Sequence, residues 1–399
     1  MKTLVNIFDP DEPLAAYLFL KQYYTAGDRL LFVSTRDQKE DVAPYAALFR
    51  IPREQITIIS FRRSEDSYIY ERICRRMRSQ LDKEMEYWVN LAGGSRYSAL
   101  AIQHVFENFH ARFFYVQTRE NLIVSSVFDD SIYDNDDTIE PITYRMTIGE
   151  YLQLHGLLHD ADTRRHTPIR SFEDCLRIFE CFKARRLTSE AYHTLELLRI
   201  HYRGSRRAVP LAAIAKGASR SKEPAPGISH LLGQLGFVPR DPDRLSPDEL
   251  DYLTGGWFEE YVYYIIVRHV HPQQAAIGVR ISRPGSHQHN NELDVVFIKA
   301  NTLFVVECKT GVATDHLFNE IVYKACALKE TFLGLSSRSY IFTLKNDHDH
   351  HLAQVADIMG VTLCPKGTLT DPGKMQKVFD AIIRQSHELK ICDKVKGKN

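Results

Sequence analysis

The residues best suited to chemistry lie in two neighbouring apolar segments of the C-terminal third of the chain. The first segment, 291–298, carries Asp294 near its start, and the second, 303–309, ends in Glu307-Cys308-Lys309. A short polar turn separates the two segments, which predicts a β-hairpin. Because side chains two residues apart share one face of a strand, we expect Glu307 and Lys309 to project together and to lie near Asp294.

Two carboxylates beside an ammonium group suit phosphodiester hydrolysis. Carboxylate oxygens bind hard divalent cations such as Mg²⁺ or Mn²⁺, and such a cation polarises a phosphate and helps to form hydroxide. A lysine can orient or deprotonate the attacking water and offset charge in the transition state. We predict Asp294, Glu307 and Lys309 as catalytic residues, together with Glu259 from an aromatic-rich helical segment upstream. The predicted ligands of the cation are Glu259, Asp294, Glu307 and the backbone carbonyl of Cys308.

An isolated Glu-x-Lys on a strand has a plainer interpretation as a surface ion pair, which contributes little to stability. The flanking sequence argues against that interpretation here. An apolar strand leads into Glu307, an acid-led strand precedes it at hairpin distance, and Gly311 follows. Charged groups within strands of this buried type need partners, which favours the catalytic interpretation.

A glycine-rich turn near the N-terminus is the second candidate site. Residues 90–96 read Asn-Leu-Ala-Gly-Gly-Ser-Arg and lie between a predicted strand and a predicted helix. Glycines allow a sharp turn and the close approach of a ligand, and the N-terminus of the following helix offers free N–H groups to an anion. Ser95 is expected to cap that helix and Arg96 to contact a phosphate. A plain strand-to-helix turn is the alternative.

Strand-like and helix-like segments alternate over the first third of the chain, which predicts a parallel sheet covered by helices. The predicted strands are 3–8, 29–34, 55–60, 86–91 and 112–117, and the predicted helices are 14–24, 67–85 and 97–109. An acidic run at 129–137 predicts a surface loop or hairpin. We expect three regions: residues 1–145, a mostly helical linking region 146–245, and residues 246–399, where Ser-Pro-Asp-Glu predicts a helix start.

The composition is that of a soluble globular protein, with 44% hydrophobic and 26% charged residues. No apolar run is long enough to span a membrane, and seven scattered cysteines indicate reduced thiols in a cytoplasmic protein. The net charge of zero excludes a strongly basic, non-specific nucleic-acid binder. Residues 151–245 nevertheless carry 16 Lys and Arg against 10 Asp and Glu. This basic region faces either a polyanion or solvent.

The C-terminal hairpin resembles the catalytic motif of the PD-(D/E)xK nuclease superfamily, which has a restriction-endonuclease-like core. Asp294 stands at the position of the motif Asp, and Glu307-Cys308-Lys309 at (D/E)-x-K, whereas Leu293 replaces the motif Pro. The resemblance implies a requirement for Mn²⁺ or Mg²⁺. It also suggests substrate contacts for Tyr323 and Lys324, whose alternative is an ordinary amphipathic helix.

Two His-rich segments, 287–289 and 348–351, accompany this region. A zinc site would need about four well-spaced ligands, which neither segment supplies. We interpret both as solvated loops, with substrate contact by His287 or His289 left open.

The N-terminal region is similar to CARF domains, the Rossmann-like sensors of cyclic oligoadenylates. The glycine turn resembles their N-x-(T)-G-G-(T/S)-(K/R) signature, with Ala92 in place of the common Thr. Two other loops that follow strands correspond to places where such domains touch ligand. The residues that the resemblance assigns to ligand binding are Asp9, Asp11, Pro13, Ser34, Thr35, Asn90, Gly93, Gly94, Ser95 and Arg96. Ligands bind outside the carboxyl ends of parallel strands, where all three loops are expected.

A CARF domain joined to a PD-(D/E)xK domain resembles the ancillary nucleases of type III CRISPR systems. The resemblance implies an α/β homodimer whose CARF domains share one cyclic tetra-adenylate and whose nuclease domains then cleave DNA or RNA. Two other functions stay open. One is a ligand-independent DNA repair or restriction nuclease, and the other is a CARF-type regulator with an inactive nuclease core. The intact Asp294, Glu307 and Lys309 argue against the second.

Overall fold

The structure is a computed structural model that describes residues 1–8, 13–34, 43–61, 70–126, 138–159, 166–217, 227–283, 291–310, 337–345, 354 and 356–385. Several predicted features lie outside the described residues: Asp9, Asp11, Thr35, His287, His289, Tyr323, Lys324, the acidic run 129–137 and the His-rich segment 348–351.

The N-terminal sheet has the strand order β3-β2-β1-β4-β5-β6-β7. Its strands are β1 (Thr3–Phe8), β2 (Arg29–Ser34), β3 (Ile56–Ser60), β4 (Tyr87–Asn90), β5 (Ala111–Gln117), β6 (Leu122–Ser126) and β7 (Thr138–Pro141). The first five are parallel, as their continuous apolar sequences predict, and β6 and β7 are antiparallel additions. The direction of strand order therefore reverses between β1 and β4.

Four described helices accompany this sheet. They are α1 (Leu14–Tyr23), α2 (Ala43–Phe49), α3 (Tyr70–Arg78) and α4 (Arg96–Phe106). The helix α2 is absent from the sequence prediction because seven residues are too few to give a clear periodic signal.

The middle region is mostly helical. Its elements are α5 (Ile148–Leu154), β8 (Leu158–His159), α6 (Phe172–Lys183), α7 (Ser189–His201), β9 (Val209–Pro210), α8 (Leu211–Gly217), α9 (Ile228–Leu235) and β10 (Arg244–Leu245). The short strand β8 pairs with β11 of the C-terminal sheet. The chain therefore contributes to that sheet before the point where sequence composition marks a new domain.

The C-terminal sheet has the order β15-β14-β13-β12-β11-β8. Its remaining strands are β11 (Gln274–Ser282), β12 (Asn291–Lys299), β13 (Thr302–Lys309), β14 (Arg338–Thr343) and β15 (Val361–Cys364). The helices are α10 (Pro247–Asp251), α11 (Trp257–Val270), α12 (Lys366–Leu369) and α13 (Pro372–Gln385), with one π-helical turn, Tyr252–Gly256, between α10 and α11. A capping box at Ser246 begins α10, as predicted.

The two sheets share a continuous apolar core. Tyr17 of α1 and Tyr151 of α5 belong to the same buried cluster as Val296 of β12 and Leu303 of β13. The β12–β13 hairpin is therefore packed against the N-terminal region, so that its position depends on that region. None of the described helices is both long and apolar enough to cross a membrane.

Candidate functional site

The β12–β13 hairpin positions the predicted catalytic residues. Val295 lies opposite Val306, and Lys299 lies opposite Thr302. Asp294 directly precedes the first paired residue of β12, and Glu307 directly follows the last paired residue of β13, so the two are neighbours across the hairpin. Ala300 and Asn301 form the turn with φ values of 46° and 59°, in the left-handed region that suits a two-residue hairpin turn. This confirms the predicted hairpin.

The hairpin brings Asp294, Glu307 and Lys309 into direct contact. The Lys309 ammonium lies 2.5 Å from Glu307 Oε1 and 3.2 Å from Asp294 Oδ2. The backbone N–H of Cys308 donates to the same Asp294 oxygen over 2.7 Å. Val306 and Cys308 pack into the core on the other face, as strand alternation predicts.

Burial and charge set the protonation of these groups. Burial, with the nearby Glu307 carboxylate, raises the pKa of Asp294 to about 6. Burial alone would lower the pKa of Lys309, but the adjacent Asp294 and Glu307 carboxylates raise it above the usual value. Burial also raises the pKa of the Cys308 thiol well above its ordinary value, and Asp294 adds to the effect. The thiol therefore stays protonated, which excludes it as a nucleophile at neutral pH.

The fourth predicted acid, Glu259, occupies the first turn of α11 and is half-buried. Its charge helps to raise the pKa of Cys308, so it lies near the end of β13. The next residue, Glu260, is fully buried and accepts a hydrogen bond from the backbone N–H of Arg170. Glu260 therefore has a structural role, whereas the catalytic role of Glu259 stays a prediction.

The donor set at the hairpin suits a divalent cation in its chemistry. Asp294 and Glu307 supply carboxylate oxygens of the kind that Mg²⁺ and Mn²⁺ prefer, and their joint contact with the Lys309 ammonium shows that positive charge is favourable between them. Among the described residues, no group of three His, Cys, Asp or Glu side chains is arranged to hold a metal ion. A cation here would thus take two side-chain ligands from the hairpin.

The second site is a pocket of about 680 Å³ at the carboxyl ends of the parallel strands, beside the reversal of strand order. Such a switch point is where open α/β sheets bind ligands. The lining residues are Leu14, Ala15, Ala92, Gly93, Arg96, Tyr115, Val116, Gln117, Thr118, Arg119 and Glu120. Of the predicted ligand residues, Gly93 and Arg96 line the pocket.

The glycine turn has the backbone that the sequence predicts. Gly93 and Gly94 have φ values of 111° and 64°, and a Cβ on Gly94 would lie 2.5 Å from Cγ2 of Ile7. Ser95 caps α4 by accepting the backbone N–H of Ser98 over 3.1 Å, which confirms the predicted cap. The turn therefore requires glycine on both backbone and packing grounds.

Other predicted ligand residues support the loops instead of lining the pocket. Asn90 donates to Asn6 Oδ1 over 3.0 Å and accepts the Ala92 N–H over 3.0 Å, so that its amide holds the turn in place. The carbonyl of Pro13 accepts the Tyr45 hydroxyl over 2.8 Å. Ser34 is buried.

Residues 115–120, at and beyond the end of β5, line the pocket although no motif marks them. The signal that identifies them is topological, because β5 ends at the same edge of the sheet as β1 and β4. Arg119 in this segment adds a second arginine to the pocket beside Arg96.

A buried hydrogen-bond network joins this segment to the catalytic hairpin. Asn301, which is fully buried in the hairpin turn, donates from Nδ2 to Asn121 Oδ1 over 2.8 Å and to the Tyr144 carbonyl over 3.0 Å. Its Oδ1 accepts the Met146 N–H over 2.9 Å and Gln273 Nε2 over 3.1 Å. Asn121 directly follows the segment that lines the pocket. We call these residues the Asn301 junction.

Three structures resemble the whole chain. Protein VC1899 from Vibrio cholerae superposes with a TM-score of 0.71 at 18% identity, covering 95% of this chain and 98% of that one. Can2 from Sulfobacillus thermosulfidooxidans, solved with cyclic tetra-adenylate, gives 0.67 at 18% identity, covering 97% and 99%. A type III CRISPR defence DNA nuclease activated by cyclic oligoadenylate gives 0.52 at 14% identity, covering 95% of this chain and 51% of that one. At these identities the likeness concerns the fold.

Family comparison assigns both regions. None of the curated proteins with which the sequence was compared matches it. Residues 10–151 match the family described as the Card1 CARF domain, and residues 248–370 match the family described as the Card1-like endonuclease domain. The chain therefore joins a CARF domain of the Card1 type to a Card1-like endonuclease domain.

Proposed function

We propose that this chain is a cytoplasmic, metal-dependent nuclease of type III CRISPR defence that cyclic oligoadenylate activates. One observation carries the proposal: Lys309 bridges Asp294 and Glu307 at the end of a hairpin within an endonuclease domain. A site with that chemistry shares its chain with a CARF domain that has a polar pocket at its switch point. The PD-(D/E)xK assignment is part of the proposal and depends on the same three residues.

The proposed activator is cyclic tetra-adenylate. The pocket offers Arg96, Arg119 and the N-terminus of α4, which together favour a phosphate-bearing ligand. The choice of four adenylates depends on Can2, the structural neighbour that was solved with that ligand.

In the proposed mechanism, Asp294 and Glu307 would hold the divalent cation, and the Cys308 carbonyl and Glu259 are the further ligands proposed, although the three carboxylates do not form a ready metal-binding group among the described residues. The cation would polarise the scissile phosphate and favour hydroxide formation. The Asp294 and Glu307 carboxylates raise the pKa of Lys309, which favours its ammonium form. Lys309 would orient the attacking water and offset charge in the transition state. The N–H of Cys308 keeps the Asp294 carboxylate oriented by its hydrogen bond.

Activation is proposed to be a shift between two conformations. A ligand changes such an equilibrium by as much as its affinity for the two states differs. Contacts at residues 117–120 act on the segment that leads directly into Asn121 and so into the Asn301 junction. The ligand pocket and the catalytic hairpin are thereby connected through buried, hydrogen-bonded residues. A ligand-independent nuclease would not need this connection.

We propose that the active protein is a homodimer formed through the CARF domains. Large apolar side chains are exposed on α4 and β5, the elements that also carry the pocket residues Arg96 and Tyr115: Tyr97 is 42% exposed, Leu100 60% and Tyr115 52%. Exposed apolar side chains on elements that line a ligand site favour an interface there. Leu100→Asp is therefore expected to shift the protein towards monomer in light scattering, and an unchanged dimer would contradict this interface.

The experiment that tests the function compares variants of each site. Glu307→Ala and Lys309→Ala are expected to abolish cleavage of nucleic acid in Mn²⁺ while retaining cyclic tetra-adenylate binding. The matched control is Glu292→Gln, since Glu292 is an exposed carboxylate on the same hairpin that pairs with Arg280. Cleavage that survives Glu307→Ala would contradict the assigned site.

Variants of the pocket separate the remaining functions. Arg96→Ala is expected to lose activation by cyclic tetra-adenylate while the nuclease domain stays folded. Full cleavage with metal alone would instead indicate a ligand-independent nuclease of repair or restriction type. Ligand binding without any cleavage would indicate a regulator with an inactive nuclease core.

A further inference from the structure

We propose that Arg199, on α7 of the middle region, is a positioning residue of the nuclease site. It holds the end of β13, which carries Lys309, against the start of α11, which carries Glu259. This inference rests on the proposed nuclease function and assigns that function a residue outside the endonuclease family match, which begins at residue 248.

The contacts of Arg199 join three elements. Its Nη2 donates to Thr310 Oγ1 over 2.9 Å, its Nε donates to the Thr254 carbonyl over 3.2 Å, and its Nη1 contacts Glu196 Oε1 at 2.5 Å. The Arg199 side chain is only 11% exposed. Thr310 directly follows Lys309, and Thr254 lies in the π-helical turn that leads into α11. The guanidinium therefore connects α7 to the end of β13, which carries Lys309, and to the turn before α11, which carries Glu259.

The local backbone explains why the Thr254 carbonyl is available for this contact. The helical run between α10 and α11 is interrupted at Gly255, whose φ of 169° is extended. The same glycine lies against the end of β13, since a Cβ there would be 3.9 Å from Thr310 Oγ1. A planar guanidinium can donate in three directions at fixed angles, whereas an ammonium cannot reproduce that geometry.

A direct substrate contact is the competing role for an arginine in this basic region. The three contacts engage Nε and both terminal nitrogens of Arg199, and its side chain is largely buried. The contacts use three of its five N–H donors, and a side chain that is only 11% exposed offers a phosphate little access to the others. The geometry therefore favours positioning over substrate binding.

The test combines Arg199→Ala, Arg199→Lys, Thr310→Val and the double variant Arg199→Ala/Thr310→Val in the full-length protein. Because a displacement of about 1 Å can slow catalysis about 100-fold, Arg199→Ala is expected to lower kcat by roughly 10- to 100-fold with KM within about twofold. Arg199→Lys is expected not to restore kcat. The double variant should be no slower than Arg199→Ala alone, since both changes remove the same hydrogen bond between Arg199 and Thr310. Ile200→Ala, an exposed position on the same helix, is the control.

Three results would overturn the inference. An Arg199→Ala variant with unchanged kcat would show that the nuclease site does not depend on the contacts of Arg199 with Thr254 and Thr310. A raised KM with a shallower salt dependence would assign Arg199 to the substrate. Additive losses in the double variant would show that Arg199 and Thr310 act separately.

Unfolding measurements separate this inference from the proposed function. A wild-type chain that cleaves nothing would contradict the function. In that case the melting temperatures of the same four variants decide about Arg199. A double variant that melts at the same temperature as Arg199→Ala would support the proposed Arg199–Thr310 hydrogen bond. Losses of melting temperature that add in the double variant would overturn the inference.

Discussion

Replacing Asn301 with glycine is expected to weaken the dependence of cleavage on the activator without touching either site. Asn301 has a φ of 59°, a conformation that glycine adopts without strain. The change therefore removes the side-chain amide and leaves the hairpin turn free to form. Asn301→Ala, in contrast, would combine the same loss with backbone strain.

The magnitude follows from the contacts of the Asn301 amide. It makes four hydrogen bonds within the junction. Each neutral bond contributes about 1 kcal/mol net to stability, so the loss is expected to be about 4 kcal/mol. The Oδ1 of Asn121, a residue that is 7% exposed, loses the donor that Asn301 supplies, whereas its Nδ2 still donates to the Ile142 carbonyl. Water that enters the junction would reduce the loss.

The assay has two parts. Urea unfolding measures the loss of stability, and initial cleavage rates with and without cyclic tetra-adenylate give the activation ratio. Because coupling between sites is typically worth 5- to 150-fold in affinity, the activation ratio is expected to fall at least about fivefold. Leu231→Ala is the control, since it removes a fully buried side chain of α9 that is not part of the Asn301 junction and should cost about 2–5 kcal/mol.

Two results would refute this reasoning. An unchanged activation ratio in Asn301→Gly would show that the junction does not connect the pocket to the hairpin. An equal fall in Leu231→Ala would assign the effect to general destabilisation.

Three further predictions concern the two sites. Asp294→Asn is expected to abolish cleavage but to raise the unfolding midpoint at pH 7 in EDTA. The pKa of Asp294 is raised to about 6 in the folded protein, so its ionisation lowers the stability progressively as pH rises from about 4 to 6, and asparagine does not ionise. A lowered midpoint would contradict this. Wild-type cleavage at a Mn²⁺ concentration well below saturation should fall as pH drops below about 6, because proton uptake by Asp294 competes with cation binding, and a flat pH–rate profile between pH 5 and 7 at that concentration would contradict this. Gly94→Ala should weaken cyclic tetra-adenylate binding in calorimetry, because its Cβ would clash with Ile7 at a φ of 64°, and unchanged affinity would contradict the loop geometry.

The sequence predicts the elements whose signals are local. The strands Thr3–Phe8 and Arg29–Ser34 occur with the predicted bounds because continuous apolar runs between turn residues are typical of buried parallel strands. The β12–β13 hairpin and the contact of Glu307 with Lys309 follow from the two-residue period of a strand in the same way. The Ser95 cap follows from side-chain chemistry.

Features that depend on distant segments have no such signal. The strand β8 has two residues, and only its pairing with β11 identifies it. The pocket segment 115–120 is marked by the order of strands in the sheet, which one sequence does not reveal. The Asn301 junction joins residues up to 180 positions apart. At Asn90 a local motif predicts a contact with the ligand, but the structure shows its amide hydrogen-bonded to Asn6 and to the Ala92 N–H within the loop.

The most direct measurement is the initial rate at which the purified protein cleaves plasmid DNA, single-stranded DNA and single-stranded RNA in Mn²⁺, with and without cyclic tetra-adenylate. A ligand-gated nuclease cleaves at least one of these substrates rapidly with the activator and slowly without it, and Glu307→Ala removes both rates. Equal rates with and without the activator, or no cleavage of any substrate when metal and activator are both present, would contradict the proposed function.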